Sequence, residues 1–208
     1  MELPMFPLGM VLFPSLFLPL HVFEPRYRVL ARHCMDGNRE FGVVLIERGS
    51  EVGGDDVRTS VGTVAQIIDA TELDDGRWVL GTVGTRRVRV REWLTDDPYP
   101  RADVDDWADV ESADGPEVDL MPAYDNVRAL LRRVLALKSE LVEPAVDATI
   151  ALSDDPALGS YQAAAVAPLG PADQQELLTV PGPGERLLRL GDLLSEEETF
   201  LRARLRME

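Results

Sequence analysis

"VLFPSLFLPLHVFEPRY" (residues 11–27) decides how the chain is read. It lies in a run from Leu3 to Phe23, 21 residues long, without one formally charged side chain. A transmembrane helix needs about 20 such residues. Pro4, Pro7, Pro14 and Pro19 interrupt the run. Each removes a backbone donor and clashes with the preceding turn, which argues against a spanning helix. A secretory leader places positive charge ahead of its apolar core and ends in a small-residue cleavage site. Here Glu2 leads, the first basic residue is Arg26, and Phe23 is followed by Glu24-Pro25-Arg26-Tyr27. The stretch therefore reads as short extended segments with prolines at edges and turns. Such segments bury an apolar face inside a folded domain, and no membrane partner is expected.

Outward from it, residues 3–8 and 16–23 read as strands. Pro25 opens a helix at the first-turn position, where a missing N–H costs nothing. Tyr27, Leu30, Ala31 and Cys34 recur at helical spacing as an apolar stripe, and Gly37 is the expected C-cap. Residues 41–47, "FGVVLIE", form a buried strand, and 48–57 a turn-rich loop. A meander follows: a strand over 61–73, a hairpin turn at 74–76, and enough length in 77–93 for two strands kinked near Gly81 or Gly84. Residues 99–111 alternate apolar and acidic side chains, as in a last, solvent-exposed strand. After a linker at 112–118 the pattern becomes helical. Val127, Leu130, Leu131, Val134 and Leu141 share one helical face. Shorter helices over 158–166 and 171–180 follow. A last long helix runs from Glu185 to Arg206, with a break near Gly191 as an alternative because Ser195 and Glu198 form a capping box. The fold class is α+β, with a β-rich domain at 1–114 and a helical one at 115–208.

Net charge is −16, and residues 96–119 alone hold ten acids against one Arg. Such a surface repels phosphate backbones, so nucleic acid is not a partner. One cysteine excludes an internal disulfide and fits a reducing cytoplasm. Lys138 is the only lysine, against 20 arginines, the usage of a GC-rich genome.

No catalytic constellation stands out in the sequence. His33 and Cys34 are neighbours on a helix and point about 100° apart. A buried thiol is also a poor nucleophile. His21, the other histidine, is read as a hydrogen-bonded core residue. Lys138 follows Leu137 rather than glycine, so there is no phosphate loop, and Ser139 beside it diverges on the helix. No cofactor, metal site or catalytic residue is expected. Arg87, Arg89 and Arg91 line one strand face and are expected to pair with the acidic segment.

The opening motif, Leu-Pro-x-Phe-Pro-Leu, then Leu-Phe-Pro, then Pro-Leu-His-Val-Phe-Glu-Pro-Arg-Tyr, closely resembles the start of the Lon protease N-terminal (substrate-binding) domain family. "FGVVL" (41–45), "VGTVAQIIDATELDDGRWVLGTVGTRRVRV" (61–90), "PYPRADV" (98–104) and "QQELLTVPGPGERLLRL" (174–190) are similar to later family elements. Val88 stands where the family has an aromatic residue. The resemblance implies a PUA-like β pseudo-barrel packed beside a helical bundle. It also implies a substrate-recognition role without catalysis, here as a stand-alone protein lacking the ATPase and peptidase domains. Protein or unfolded polypeptide is the expected partner. Phe13, Leu16 and Phe17 are the candidate adhesive surface. His21, Phe23, Glu24, Pro25, Arg26 and Tyr27 are read as the motif that determines the fold. Two alternatives stand beside this. One is an adaptor docking on a protease or ATPase complex through the last helix, with Leu201 and Leu205 exposed. The other is an unrecognised hydrolase using Cys34 or His21.

Overall fold

The computed structural model describes residues 1–49, 56–110, 118–141 and 152–207. The loop expected at 48–57 and the linker at 112–118 fall largely outside them. The chain divides into two compact units, Met1–Ala108 and Asp109–Glu208.

Among the described residues, the first unit contains six strands and one helix: β1 (Glu2–Leu8), β2 (Phe17–Val22), α1 (Pro25–Asp36), β3 (Glu40–Arg48), β4 (Val57–Glu72), β5 (Trp78–Trp93) and β6 (Arg101–Asp106). The strand order is β2-β5-β4-β3-β1-β6, with β5 also pairing to β6. That last pairing closes β5, β4, β3, β1 and β6 into a ring. Only β1 and β3 run parallel; the other pairs are antiparallel. Leu3, Met5, Val44, Val64, Val88, Ala102 and Val104, drawn from all five ring strands, form one core. The opposite side chains of the same strands, including Phe6, Leu8, Phe41, Val43, Ala65 and Ile67, form a second core with Leu18, Val22 and the apolar stripe of α1. Neighbouring residues such as Met5 and Phe6 therefore serve different cores, as alternation along a strand requires.

Residues 77–93 make one strand rather than two. β5 stays continuous because its partners change along it: Trp78–Val83 pair with β2, and Val88–Trp93 with β6. The kink expected near Gly84 takes the form of a bulge at Thr85, the extra residue between Gly84 and Arg86 in the pairing to β4. β4 carries its own extra residue, Ile68. Bulges bend a strand and increase its twist, which a closing sheet needs. The turn at 74–76 has Leu73 and Arg77 bonded through N–H to carbonyl at 2.8 Å, and Gly76 at φ 77°. Only glycine adopts that conformation without strain.

The segment after Tyr99 departs from expectation. β6 is not solvent-exposed. It pairs with β1 and β5 at once, and Ala102 and Val104 are buried. Its acids face out, where Asp103 and Asp105 meet Arg91 at 2.9 and 3.4 Å. Arg87 and Arg89 stack over the Trp107 ring, 4.6 and 4.1 Å from its centroid. Gly37 caps α1 with φ −113°, and the positive φ falls on Arg39.

The second unit holds α2 (Leu120–Leu141), α3 (Pro156–Val166), α4 (Pro171–Thr179) and α5 (Pro183–Leu205). Proline occupies the first turn of α3, α4 and α5, as it does in α1. Tyr124, Val127, Leu131 and Val134 of α2 are buried, as are Leu187, Leu190, Leu194 and Leu201 of α5. α5 has no break at Gly191: Ser195 Oγ donates back to the Gly191 carbonyl at 2.8 Å within a continuous helix. At the centre Arg186, fully buried, binds Asp109 at 2.7 Å and donates to Ser160 Oγ at 2.8 Å. Its guanidinium lies 3.6 Å over the Tyr161 ring, whose hydroxyl also donates to Asp109 at 2.8 Å.

Candidate functional site

β2 is an edge strand, because its ladder partner is β5 alone. Its backbone orientation follows from one bond: Gly84 N–H donates to the Leu16 carbonyl at 2.9 Å. Hydrogen-bonded pairs alternate in an antiparallel ladder. In the register Leu18↔Thr82, Leu20↔Leu80 and Val22↔Trp78, those residues bond to β5. Phe17, Pro19 and His21 then turn their backbone groups to the free edge. Pro19, which has no N–H, sits at one of the positions where none is needed.

Side chains follow the same parity. Leu18 and Val22 are buried and Leu20 packs half-buried against the core. Phe17, Pro19 and His21 face out. Phe17 is 59% exposed, and its ring edge lies over Gly81, where an added Cβ would meet ring carbons at 3.4 and 3.5 Å. Val79, opposite His21, and the bulged Ile68 are also exposed. Phe23 follows β2 at 54% exposure, with its ring edge-on to His21 at 6.5 Å. These side chains lie on the outer face of the β2–β5–β4 sheet, with the exposed Asp69 among them beside Gly81. Isolated exposed apolar residues are ordinary, whereas a grouped set of aromatics marks an interaction surface.

Beside this face, β1 and β2 flank a recess of about 110 Å³. Phe6 and Leu8 line one side, Leu20 and Val22 the other, and Tyr27 of α1 contributes to the wall. His21, Phe23 and Glu24 complete it. Local bonding fixes this corner. The Glu24 carbonyl accepts the Arg28 N–H at 2.9 Å, and its carboxylate holds Arg26 Nε at 3.2 Å. Arg26 lies 4.5 Å over the Tyr27 ring, which stacks on Phe6 with centroids 4.1 Å apart. Burial pushes the Tyr27 hydroxyl up to about 12.

Of the three adhesive candidates, Phe17 is on the surface, Leu16 is half-buried and Phe13 is 1% exposed. Phe13 packs inside because the loop carrying it is held down: Thr63 Oγ1 donates to the Leu12 carbonyl at 2.6 Å. His21 is a surface residue rather than a core one, since the parity that buries Leu18 and Val22 turns it outward. Phe23, Ile68 and Val79 were missed as surface residues. Strand alternation from Leu18 could have placed Val79's partner His21 outward, but the bulge that exposes Ile68 has no local signal.

The Cys34 form of the hydrolase reading fails on geometry, and nothing in the fold favours the His21 form. Cys34 is buried, donates to the Glu40 carbonyl at 3.3 Å, and is pushed up to about 12 by desolvation. His33 turns away, with Nδ1 2.8 Å from the Tyr99 hydroxyl. Among the described residues no cluster of His, Cys, Asp and Glu could hold a metal ion, and no helix is long and apolar enough to cross a membrane. Of the docking face expected on α5, Leu201 is buried and Leu205 half-buried, while Phe200 is exposed.

The first unit is thus a closed mixed barrel with an apolar strand edge, and a helical unit follows it in the chain. The chain belongs to the family of ATP-dependent protease La (LON) substrate-binding domains, whose model matches residues 2–196. It is 30% identical over 200 residues to Lon protease 2 of Herpetosiphon aurantiacus, covering 95% of this chain and 24% of that protein. It is 24% identical to a LON peptidase N-terminal domain and RING finger protein of Schizosaccharomyces pombe, covering 89% of this chain and 43% of that one. The chain thus spans less than half the length of either relative. A Lon N-terminal domain protein from Xanthomonas campestris superposes with a TM-score of 0.66 at 30% identity, covering 91% of this chain and 96% of that one. The N-terminal domain of Mycobacterium avium complex Lon protease shares the fold, with a TM-score of 0.65 at 16% identity over 94% of this chain and 98% of that one.

Proposed function

We propose that this chain is a non-catalytic polypeptide-recognition module that holds unfolded or extended protein segments on the outer face of β2. The observation that carries this is the set of exposed Phe17, Phe23, Val79 and Ile68 on and next to the outer face of β2, β5 and β4. Family membership supports a protein partner, and the buried, protonated Cys34 offers no nucleophile. The net charge of −16 disfavours acidic partners and favours neutral or basic ones. Its single cysteine, kept as a thiol, supports work in a reducing compartment such as the cytoplasm. Delivery of the held segment to a protease or ATPase complex is the role this reading assigns to it.

The test is binding of reduced, amidomethylated lysozyme, a basic unfolded chain, followed by fluorescence anisotropy. Burying one Phe side chain contributes about 1.5–3 kcal/mol. Phe17→Ser with Phe23→Ser should therefore weaken binding by at least about tenfold, with the thermal midpoint little changed. Equal binding by the double variant would overturn the assigned face. No binding by the unmodified protein would overturn the function.

A further inference from the structure

We propose that the recess between β1 and β2 is an anchor subsite for one aliphatic side chain of a non-acidic, extended polypeptide segment that adds as a strand along β2. This rests on the polypeptide-binding reading and specifies how the segment is held.

Three observations carry it. First, size: the recess measures about 110 Å³. Pockets for small organic ligands run to roughly 300–1,000 Å³, whereas an apolar cavity of about 150 Å³ takes a single benzene. A recess of this size fits one Val, Leu or Ile side chain. Its walls, Phe6, Leu8, Leu20, Val22 and Tyr27, are apolar to match.

Second, backbone: the free edge of β2 offers the His21 N–H and carbonyl together, since His21 lies between the residues that bond to β5. Pro19 offers only its carbonyl. A guest strand therefore bonds at His21. Guest residues on either side of that pair stand opposite Leu20 and Val22 and share their face, which is the face of the recess. The register that satisfies His21 is thus the register that drops the neighbouring guest side chain between β1 and β2. This is strand addition to a sheet edge, in which main-chain bonds hold the guest and a pocket reads alternate side chains.

Third, charge: the Glu24 carboxylate at the recess is already held by Arg26 at 3.2 Å, so selection against acidic guests comes from the field of the chain as a whole, which carries −16. Aspartate or glutamate beside the anchor is disfavoured by that field, and arginine or lysine tolerated.

The experiment uses fluorescein-labelled Ser-Arg-Ser-Xaa-Ser-Arg-Ser peptides with Xaa as Leu or Gly, and the Leu peptide N-methylated at the serines flanking Leu. Anisotropy should show the Leu peptide binding at least about tenfold more tightly than the Gly and N-methylated peptides. Leu20→Trp, which fills the recess, and His21→Pro, which removes the edge donor without touching the ladder to β5, should each abolish that preference. Phe200→Ser, in the helical unit, should leave it unchanged. Equal binding of Leu and Gly peptides overturns the subsite, as does a preference that survives His21→Pro. A dimer by sedimentation that excludes the Leu peptide assigns the edge to a second copy and also overturns it. Should either variant unfold, the comparison of Leu, Gly and N-methylated peptides on the unmodified protein decides alone. Unfolded lysozyme is measured in parallel. If it still binds through Phe17 and Phe23 while the Leu preference is absent, the subsite is wrong and the binding function stands.

Discussion

The two units solve the same problem by different means. In Met1–Ala108 the backbone sets the geometry: each strand's register fixes its neighbour's, and the ring closes when β5 meets β6. In Asp109–Glu208 each helix satisfies its own backbone, so nothing in the ladder sets one helix against another. Side chains do that work, and at the centre it falls to a charged group, Arg186, held by Asp109, Ser160 and the Tyr161 ring. The barrel can therefore afford an exposed apolar strand, because register holds β2 whatever its outer side chains are. The helical unit has no such tolerance at Arg186.

Substitutions test that contrast. Arg186→Ala leaves the Asp109 carboxylate without its main partner and should cost about 3–5 kcal/mol by urea denaturation. Phe13→Ala in the barrel should also cost about 3–5 kcal/mol, because Phe13 is buried. Gly62→Ala would place a methyl group against the Val43 carbonyl of the paired strand, where backbone cannot yield, and should cost about 1–3 kcal/mol. Phe17→Ala, four residues from Phe13 but on the outer face, should stay within about 0.5 kcal/mol. A large loss at Phe17 would mean the outer face is structural and would break the contrast. A further test is alkaline. Cys34 is raised from 9.0 to about 12 and Tyr27 from 10.0 to about 12, both by burial. The unfolded chain then releases these protons first, so their contribution is intact below about pH 9 and is lost as pH rises toward 12. Urea midpoints from pH 8 to 11 should fall, and Cys34→Ala should flatten part of that slope.

Element types were legible where periodicity was strong. The stripe Tyr27, Leu30, Ala31 and Cys34 gave α1, and the leucines of 187–201 gave α5. Pro25 and Pro171 marked the starts of α1 and α4, while α3 and α5 begin two residues earlier than read, at Pro156 and Pro183. What local pattern could not show was which strand edge is free. Residues 99–111 read as exposed because acids alternate with small apolar residues, yet β6 closes the ring, its acids outward against Arg91. Phe13 and Phe17 read alike as adhesive aromatics. Only the loop bond from Thr63 and the parity of β2 separate them. The recess was not legible at all, since it forms between strands that are close in sequence but do not pair.

Pro19 has one more consequence. An open strand edge is a template, and identical chains can stack on it without limit into fibres. A strand lacking one outward donor halfway along its edge breaks that repeat, because each added copy forfeits a bond at the same place. The residue that first looked like an obstacle to a membrane helix is thus a brake on self-assembly. Replacing it with a residue that restores the donor should leave the fold intact and shorten the time before the protein turns cloudy on concentration.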